Sequence, residues 1–254
     1  EIILPEFQTN DSLPLPLFPD DAANRFGFTF NHRGKLIHTG DLYYQFLTED
    51  ASLEVGKSER KTVRLRAELP GGGALEHRFT FQGEGYGIEY DLVLEGLSKA
   101  ITDNSLELMA AEDLPQTERT REMIRRTQSV YWQLYDPEDP ADGDVDDLGN
   151  VSDEPEQETI KTPMKWVSFK NDFFNLTMVA DKRFDNGKLL AAPLPPSEGL
   201  QHQQATLRMT YNRTRQTDTL GLRLYCGPND IHHLNDYGLA MEKLVDLGWG
   251  PLRY

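Results

Sequence analysis

Along most of this chain apolar residues recur at every second position, the period of a strand with one buried face. Val63, Leu65, Ala67 and Leu69 alternate with Arg64, Arg66 and Glu68. Pro70-Gly71-Gly72-Gly73 then turns the chain, and Phe79 and Phe81 return with Arg78, Thr80 and Gln82 between them. That arrangement predicts a β-hairpin. After the glycines of 83–87, Ile88, Tyr90, Leu92 and Leu94 alternate with Glu89, Asp91, Val93 and Glu95. The same period predicts strands at Leu106, Leu108 and Ala110 and at Val130, Trp132 and Leu134. Further strands are expected over 26–30, 42–47, 164–170, 173–181 and 205–211. Prolines 5, 14, 16 and 19 favour extended or edge-like segments near the start. Residues 116–126 fit a short surface helix or an irregular loop equally well.

The pattern changes near the end. Leu220, Leu222, Leu224 and Cys226 share one strand face with Arg223 on the other. Gly227-Pro228 is expected to stop the ladder, because proline has no amide to donate. Asn229 or Asp230 can cap a helix, Ile231 and Leu234 lie three apart, and Leu239, Leu244, Val245, Leu247 and Trp249 follow Gly238. One or two short helices laid against an apolar surface are predicted. Regular strands with almost no helix before residue 229 indicate a large antiparallel β-sandwich over 1–228 and a helical segment over 229–254.

Composition bounds what such a domain does. The 254 residues are 38% hydrophobic, enough for a sizeable core. A net charge of -16 repels phosphate backbones and anionic headgroups, arguing against nucleic acid or electrostatic membrane contact. The one cysteine, Cys226, falls on an apolar strand face, so neither an internal disulfide nor a CxxC motif exists. No run approaches the ~20 apolar residues that span a bilayer. Residues 136–158 are acidic and poor in apolar side chains, and are expected to form a mobile loop.

Candidate chemistry is thin. Asp142, Asp144 and Asp146 occupy the first, third and fifth positions of a calcium loop. The sixth is Asp147 instead of glycine and the twelfth is Asp153 instead of glutamate. His232 and His233 are adjacent, which places them about 100° apart on a helix and not on one metal-binding face. His32, His38, His77 and His202 are expected in turns or on polar faces. Gly71–Gly73 and Gly83–Gly87 read as hairpin turns, since no helix follows to hold an anion. No GxSxG nucleophile elbow is present. Tyr131, Trp132 and Tyr135 are expected in the core more than on a sugar platform.

One resemblance gathers these segments. The tail, strand then GPND then EKLVDLGWG, resembles the end of the large periplasmic domain of YidC-type membrane protein insertases. FGFTF, TGDLYYQF, HRFTFQGEGYGIEYDLVL, QSVYWQLYDPED and KWVSFKNDFFNLTMVAD are similar to earlier landmarks of that domain, in the same order, from about Phe26 to Gly250. The resemblance implies a twisted, aldose-epimerase-like supersandwich with its C-terminal helices packed on a sheet. It places the domain on the periplasmic side of the bacterial inner membrane, with no catalytic role and no cofactor. Sec translocon components and nascent membrane proteins are the implied partners, and membrane contact runs through other parts of the chain. Gly227 and Pro228 would mark where the sandwich ends, Leu239, Leu244, Val245 and Leu247 would clamp the exit path, and Trp249 would lie nearest the membrane. A secreted carbohydrate-binding or carbohydrate-active sandwich is the alternative. It requires a concave sheet lined by aromatics with a convergent histidine and carboxylate. A calcium-stabilised adhesion module is the third reading.

Overall fold

The computed structural model describes residues 2–8, 13–18, 25–48, 53–102, 104–114, 128–149, 154–195 and 201–245. The first strands are β1 (Ile2–Gln8), β2 (Pro14–Phe18), β3 (Arg25–His32), β4 (Lys35–His38) and β5 (Gln45–Phe46). Next come β6 (Arg60–Glu68), β7 (Ala74–Gln82), β8 (Gly87–Glu95), β9 (Ser105–Leu114), β10 (Ser129–Leu134) and β11 (Val145–Asp147). The last are β12 (Glu156–Ile160), β13 (Met164–Lys170), β14 (Phe174–Phe184), β15 (Asn186–Pro193), β16 (Gln201–Thr210) and β17 (Thr217–Pro228). Helix α1 spans Ile231–Tyr237, and a 3-10 turn covers Met241–Leu244.

The strands form a nine-stranded sheet, β11-β10-β13-β14-β17-β8-β7-β6-β5, facing a six-stranded sheet, β12-β15-β16-β9-β3-β4. Every pairing in both sheets is antiparallel. This is the large sandwich the alternation predicts. Tyr90, Leu92 and Leu94 from β8 and Leu220, Leu222 and Leu224 from β17 are buried in one core with Phe28, Phe30, Leu106, Leu108, Leu207 and Met209 of the other sheet. β1 and β2 pair separately. Their buried Leu4 and Leu15 join the same core, and Phe7 meets the Phe174 ring edge-on at 5.0 Å.

The last strand is the centre of the larger sheet. β17 pairs with β14 on one side, Met178 opposite Leu224, and with β8 on the other, Leu92 opposite Leu220. It therefore joins the early hairpins β5–β8 to the later β10–β14 unit. Gly227 and Pro228 still pair, with Asn175 and Phe174, so the ladder runs through them and ends at the proline.

Several expectations change. The stretch 42–47 supplies only the two-residue β5. Residues 136–158, expected to form a loop, include β11 and the start of β12, because Val145–Asp147 completes the open edge of β10 and Glu156–Ile160 that of β15. Asp146, offered above as a calcium-loop ligand, sits within that edge strand opposite Trp132. β15 buries alternate residues Gly187, Leu189 and Ala191, but its sequence NGKLLAAP shows no apolar alternation that would mark it as a strand. The 116–126 stretch, Leu247 and Trp249 lie outside the described residues.

Candidate functional site: the C-terminal clamp and its surroundings

The described part of the predicted tail closes over the outer face of the nine-stranded sheet. β13 is buried at all seven positions, which a one-sided strand would not be. Its Trp166 packs with Val179, Tyr225, Leu234, Leu239, Met241 and Leu244 in a second core on the far side of the sheet from the first. Val245 packs against its rim. Of the predicted tail residues, the structure thus brings Leu239, Leu244 and Val245 together and places Gly227 and Pro228 at the strand end that launches them.

Local chemistry fixes this turn. Asp230 is the N-cap of α1, its carboxylate accepting from the amides of His232 (2.9 Å) and His233 (3.2 Å). Those bonds hold the Asp230 carboxyl below its usual range. Asn229 ties the launch point to the β13–β14 turn, donating to the Asn171 and Asp172 carbonyls and accepting from Asn175. After α1, Gly238, Leu239 and Ala240 all have positive φ, 61°, 63° and 53°. For leucine and alanine that conformation costs energy and persists only where surroundings enforce it. Here the enforcing contact is the Trp166 indole, whose Nε1–H donates to the Leu239 carbonyl at 2.8 Å. Gly227 is required for a different reason: a side-chain carbon there would meet the Tyr86 ring at 2.5 Å. Tyr86 in turn packs edge-on against Tyr225 and His233, and Tyr225 against Tyr237.

The outer face beside this clamp is a charge ladder. Glu76, 3% exposed, accepts from Arg64 (2.7 Å) and Arg78 (2.6 Å). Burial alone would raise its carboxyl, but the two guanidiniums hold it below the usual range. Arg66 bridges Glu68 and Glu95, and Arg60 pairs with Glu89.

Buried polar groups escaped the sequence reading, among them His32, expected in a turn or on a polar face but buried at the end of β3, and two that follow strand alternation. His77, expected on a polar face, shares its strand parity with Leu75 and Phe79 and points inward. The Tyr44 hydroxyl donates to the Thr39 carbonyl (2.9 Å), so it accepts from His77 Nε2 (2.9 Å), and His77 Nδ1 accepts from Tyr90 (2.7 Å). Burial lowers the imidazole to about 4. Glu112 is the second case. It continues the inward row Leu106, Leu108, Ala110, and burial, then Asp113, raises its carboxyl to about 8. In both cases the alternation itself was the available signal. Burial likewise raises the Cys226 thiol, so this core cysteine is no nucleophile at neutral pH.

An open cleft of about 1000 Å³ lies between the sheets at one end, lined by Asp91, Asp181, Lys182, Arg183, Tyr211 and Arg213 among others. Asp91 and Asp181 flank Gly221, and burial, then Asp181, raises Asp91. The histidine–carboxylate pair that a sugar-active site would need is elsewhere. His202 meets Asp113 at 2.5 Å, and neither residue lines the cleft. Trp132 is core, while Lys170 lies over Tyr131 and Arg183 over Tyr135. Among the described residues, no three His, Cys, Asp or Glu side chains converge where a metal could sit, and no helix is long and apolar enough to cross a membrane.

Comparison with known proteins adds an independent line. The family model of the YidC periplasmic domain matches residues 1–251. The membrane protein insertase YidC of Parabacteroides distasonis is 26% identical over 99% of this chain and 38% of its own length. That of Amoebophilus asiaticus is 22% identical over 100% of this chain and 41% of its own. The chain therefore spans about two fifths of the length of the relatives it matches. Among solved structures, a galactose mutarotase related enzyme from Lactobacillus acidophilus aligns with a TM-score of 0.42 at 6% identity, covering 78% of this chain and 77% of that one. The GH36 α-galactosidase AgaA from Geobacillus stearothermophilus gives 0.39 at 7%, covering 84% and 31%.

Proposed function

The chain belongs to the YidC periplasmic-domain family, and on that premise we propose that it is the periplasmic interaction and positioning module of a membrane protein insertase. In this reading it catalyses no reaction and uses no cofactor. It lies on the periplasmic side of the bacterial inner membrane and contacts translocon components or newly made membrane-protein segments. The observation that best supports a positioning role is the clamp. Residues 229–245 are fastened to the sandwich by a second apolar core and by the Trp166–Leu239 bond, which fixes where the tail sits on the sheet. In the same reading 1–228 is the sandwich and 229–254 leads toward the membrane core, with Leu239, Leu244, Val245 and Leu247 holding the exit path and Trp249 nearest the bilayer.

The test is site-specific photo-crosslinking from exposed sandwich positions of the intact insertase in cells making membrane proteins. Adducts with translocon subunits or nascent chains are expected. No adduct from any face would overturn the proposal. The carbohydrate reading gains nothing from the geometry, because the cleft and the His202–Asp113 pair lie apart.

A further inference from the structure

The four edges of the two large sheets are unequal. Among the described residues, β11 and β12 close one end of each sheet, and both carry acids: Asp146 and Asp147 in one, Glu156 and Glu158 in the other. Charges of this kind keep an open edge from recruiting another strand. β4 and β5 close the opposite ends, and residues 39–44 join them directly, so the two edges lie at the same end of the molecule. At this end β4 carries Lys35, and β5 carries no charge. Leu36 is 62% exposed, Tyr43 98%, Phe46 67% and Leu47 40%, four of the six large apolar side chains left exposed among the described residues.

The backbone at β5 points the same way. The Leu47 amide donates to the Arg64 carbonyl at 2.9 Å, and Gln45 lies opposite Arg66. In an antiparallel ladder alternate residues bond to opposite sides, so Phe46 turns its amide and carbonyl away from β6 toward the open edge. Nothing among the described residues pairs with that side. The surroundings supply a charge signature. Among the described residues of 39–54 the charges are Asp41 and Glu54, and Arg64 and Arg66 of the neighbouring β6 are already paired with Glu76, Glu68 and Glu95.

We propose that the β5 edge at Phe46, with Tyr43, Leu47 and Leu36 around it, receives an extended segment of a partner protein as an added strand, apolar at alternate positions and basic at its ends. Main-chain bonds to Phe46 supply the pairing, apolar side chains cover Phe46 and Leu47, and the basic ends meet Asp41, Glu54 and the protein's net charge of -16. A second copy of this chain is disfavoured by a net charge of -16 and by acids facing acids. An anionic bilayer is disfavoured by the same charge. The inference deepens the interaction role proposed above by naming the surface and the partner's chemistry.

The experiment titrates a fluorescein-labelled twelve-residue peptide, alternating valine and threonine with two lysines at each end, against the 254-residue protein by anisotropy. Saturable binding is expected, weakened at least about tenfold by Phe46→Asp and by Tyr43→Ser, and weakened further when salt is raised from 50 to 500 mM, where the screening length falls below about 5 Å. Prolines at alternate peptide positions should abolish it, since they remove the donors of the added strand. Both substituted side chains are largely exposed, and circular dichroism melts check that the variants fold. Equal binding by wild type and Phe46→Asp, or full binding by the proline peptide, overturns the proposal. So does Phe46-dependent binding to phosphatidylglycerol vesicles in place of the peptide, or a dimer in sedimentation that Phe46→Asp dissociates. Crosslinks from other faces of the intact protein, with none from Tyr43 or Phe46, would remove this edge while leaving the broader interaction role standing. Absence of crosslinks everywhere would remove the broader role.

Discussion

The indole of Trp166, in the middle of β13, donates its hydrogen bond to the carbonyl of Leu239, 73 positions later in the chain and held at a φ of 63°. One bond thus satisfies a buried indole and stabilises a backbone conformation that leucine rarely adopts. The carbonyl is presented to Trp166 only if Gly238–Ala240 takes the left-handed turn, so the clamp closes as a unit.

Trp166→Phe removes the donor and, with the smaller ring, leaves a small cavity in the second core. The Leu239 carbonyl is then left buried and unpartnered, at a cost of about 1–3 kcal/mol. Amide hydrogen exchange should accelerate first in 231–245, with the sandwich strands β7, β8 and β17 little changed. Uniform acceleration through all strands would contradict a separately opening clamp.

His77 sets an acid limit on stability. Its imidazole titrates near 4 when folded against 6.5 for the free group, so between these values the unfolded chain binds the extra proton. The neutral Tyr44–His77–Tyr90 network is intact above pH 6.5, and stability falls as the pH drops through 4, by roughly 3 kcal/mol in total. Urea melts from pH 7 to 4 should show a shallower slope for His77→Gln than for wild type. Identical slopes would show that His77 is not the group responsible.

Glu112 acts in the opposite direction. Its carboxyl is raised to about 8 from 4.5, so the folded protein keeps a proton that the unfolded chain releases. Stability is full below pH 4.5 and is lost as the pH rises through 8, on the order of 3 kcal/mol by neutral pH. Glu112→Gln mimics the neutral acid without titrating. It should melt higher than wild type at pH 8 and match it more closely at pH 5.

Glu76 separates two like charges. Arg64 and Arg78 lie directly opposite one another on β6 and β7, and both donate to Glu76. Glu76→Gln removes the charge that neutralises them and leaves a like-charge cross-strand pair. A loss of about 1–3 kcal/mol is expected, reduced in Arg78→Thr/Glu76→Gln relative to the sum of the single losses. Additive losses would mean the residues do not act together.

Much of this molecule was legible from residue order. Alternation at 63–69, 79–81, 88–94 and 220–226 marked strands and their inward faces, because a half-buried strand must separate its two sides at a period of two. The same rule, applied to residues other than aliphatics, would have placed His77 beside Leu75 and Phe79 and Glu112 after Ala110. Polar identity masked a position that periodicity had already assigned. β11 and β12 were not legible, and β5 only as part of the longer 42–47 stretch, since short edge strands are defined by the open backbone beside them and not by their own side chains.

By itself the sequence determined the strand class, the inward rows, the acidic character, and the family landmarks, all of which depend on neighbours within a few residues. Only the tertiary structure decided that β17 sits between β8 and β14, that β13 is buried on both faces, and that Trp166 finds Leu239. It also decided which edges carry acids and which is left open at Phe46. These relations join residues up to more than a hundred positions apart, and pairing at such separations is chosen by the packing of whole sheets, for which no local period exists.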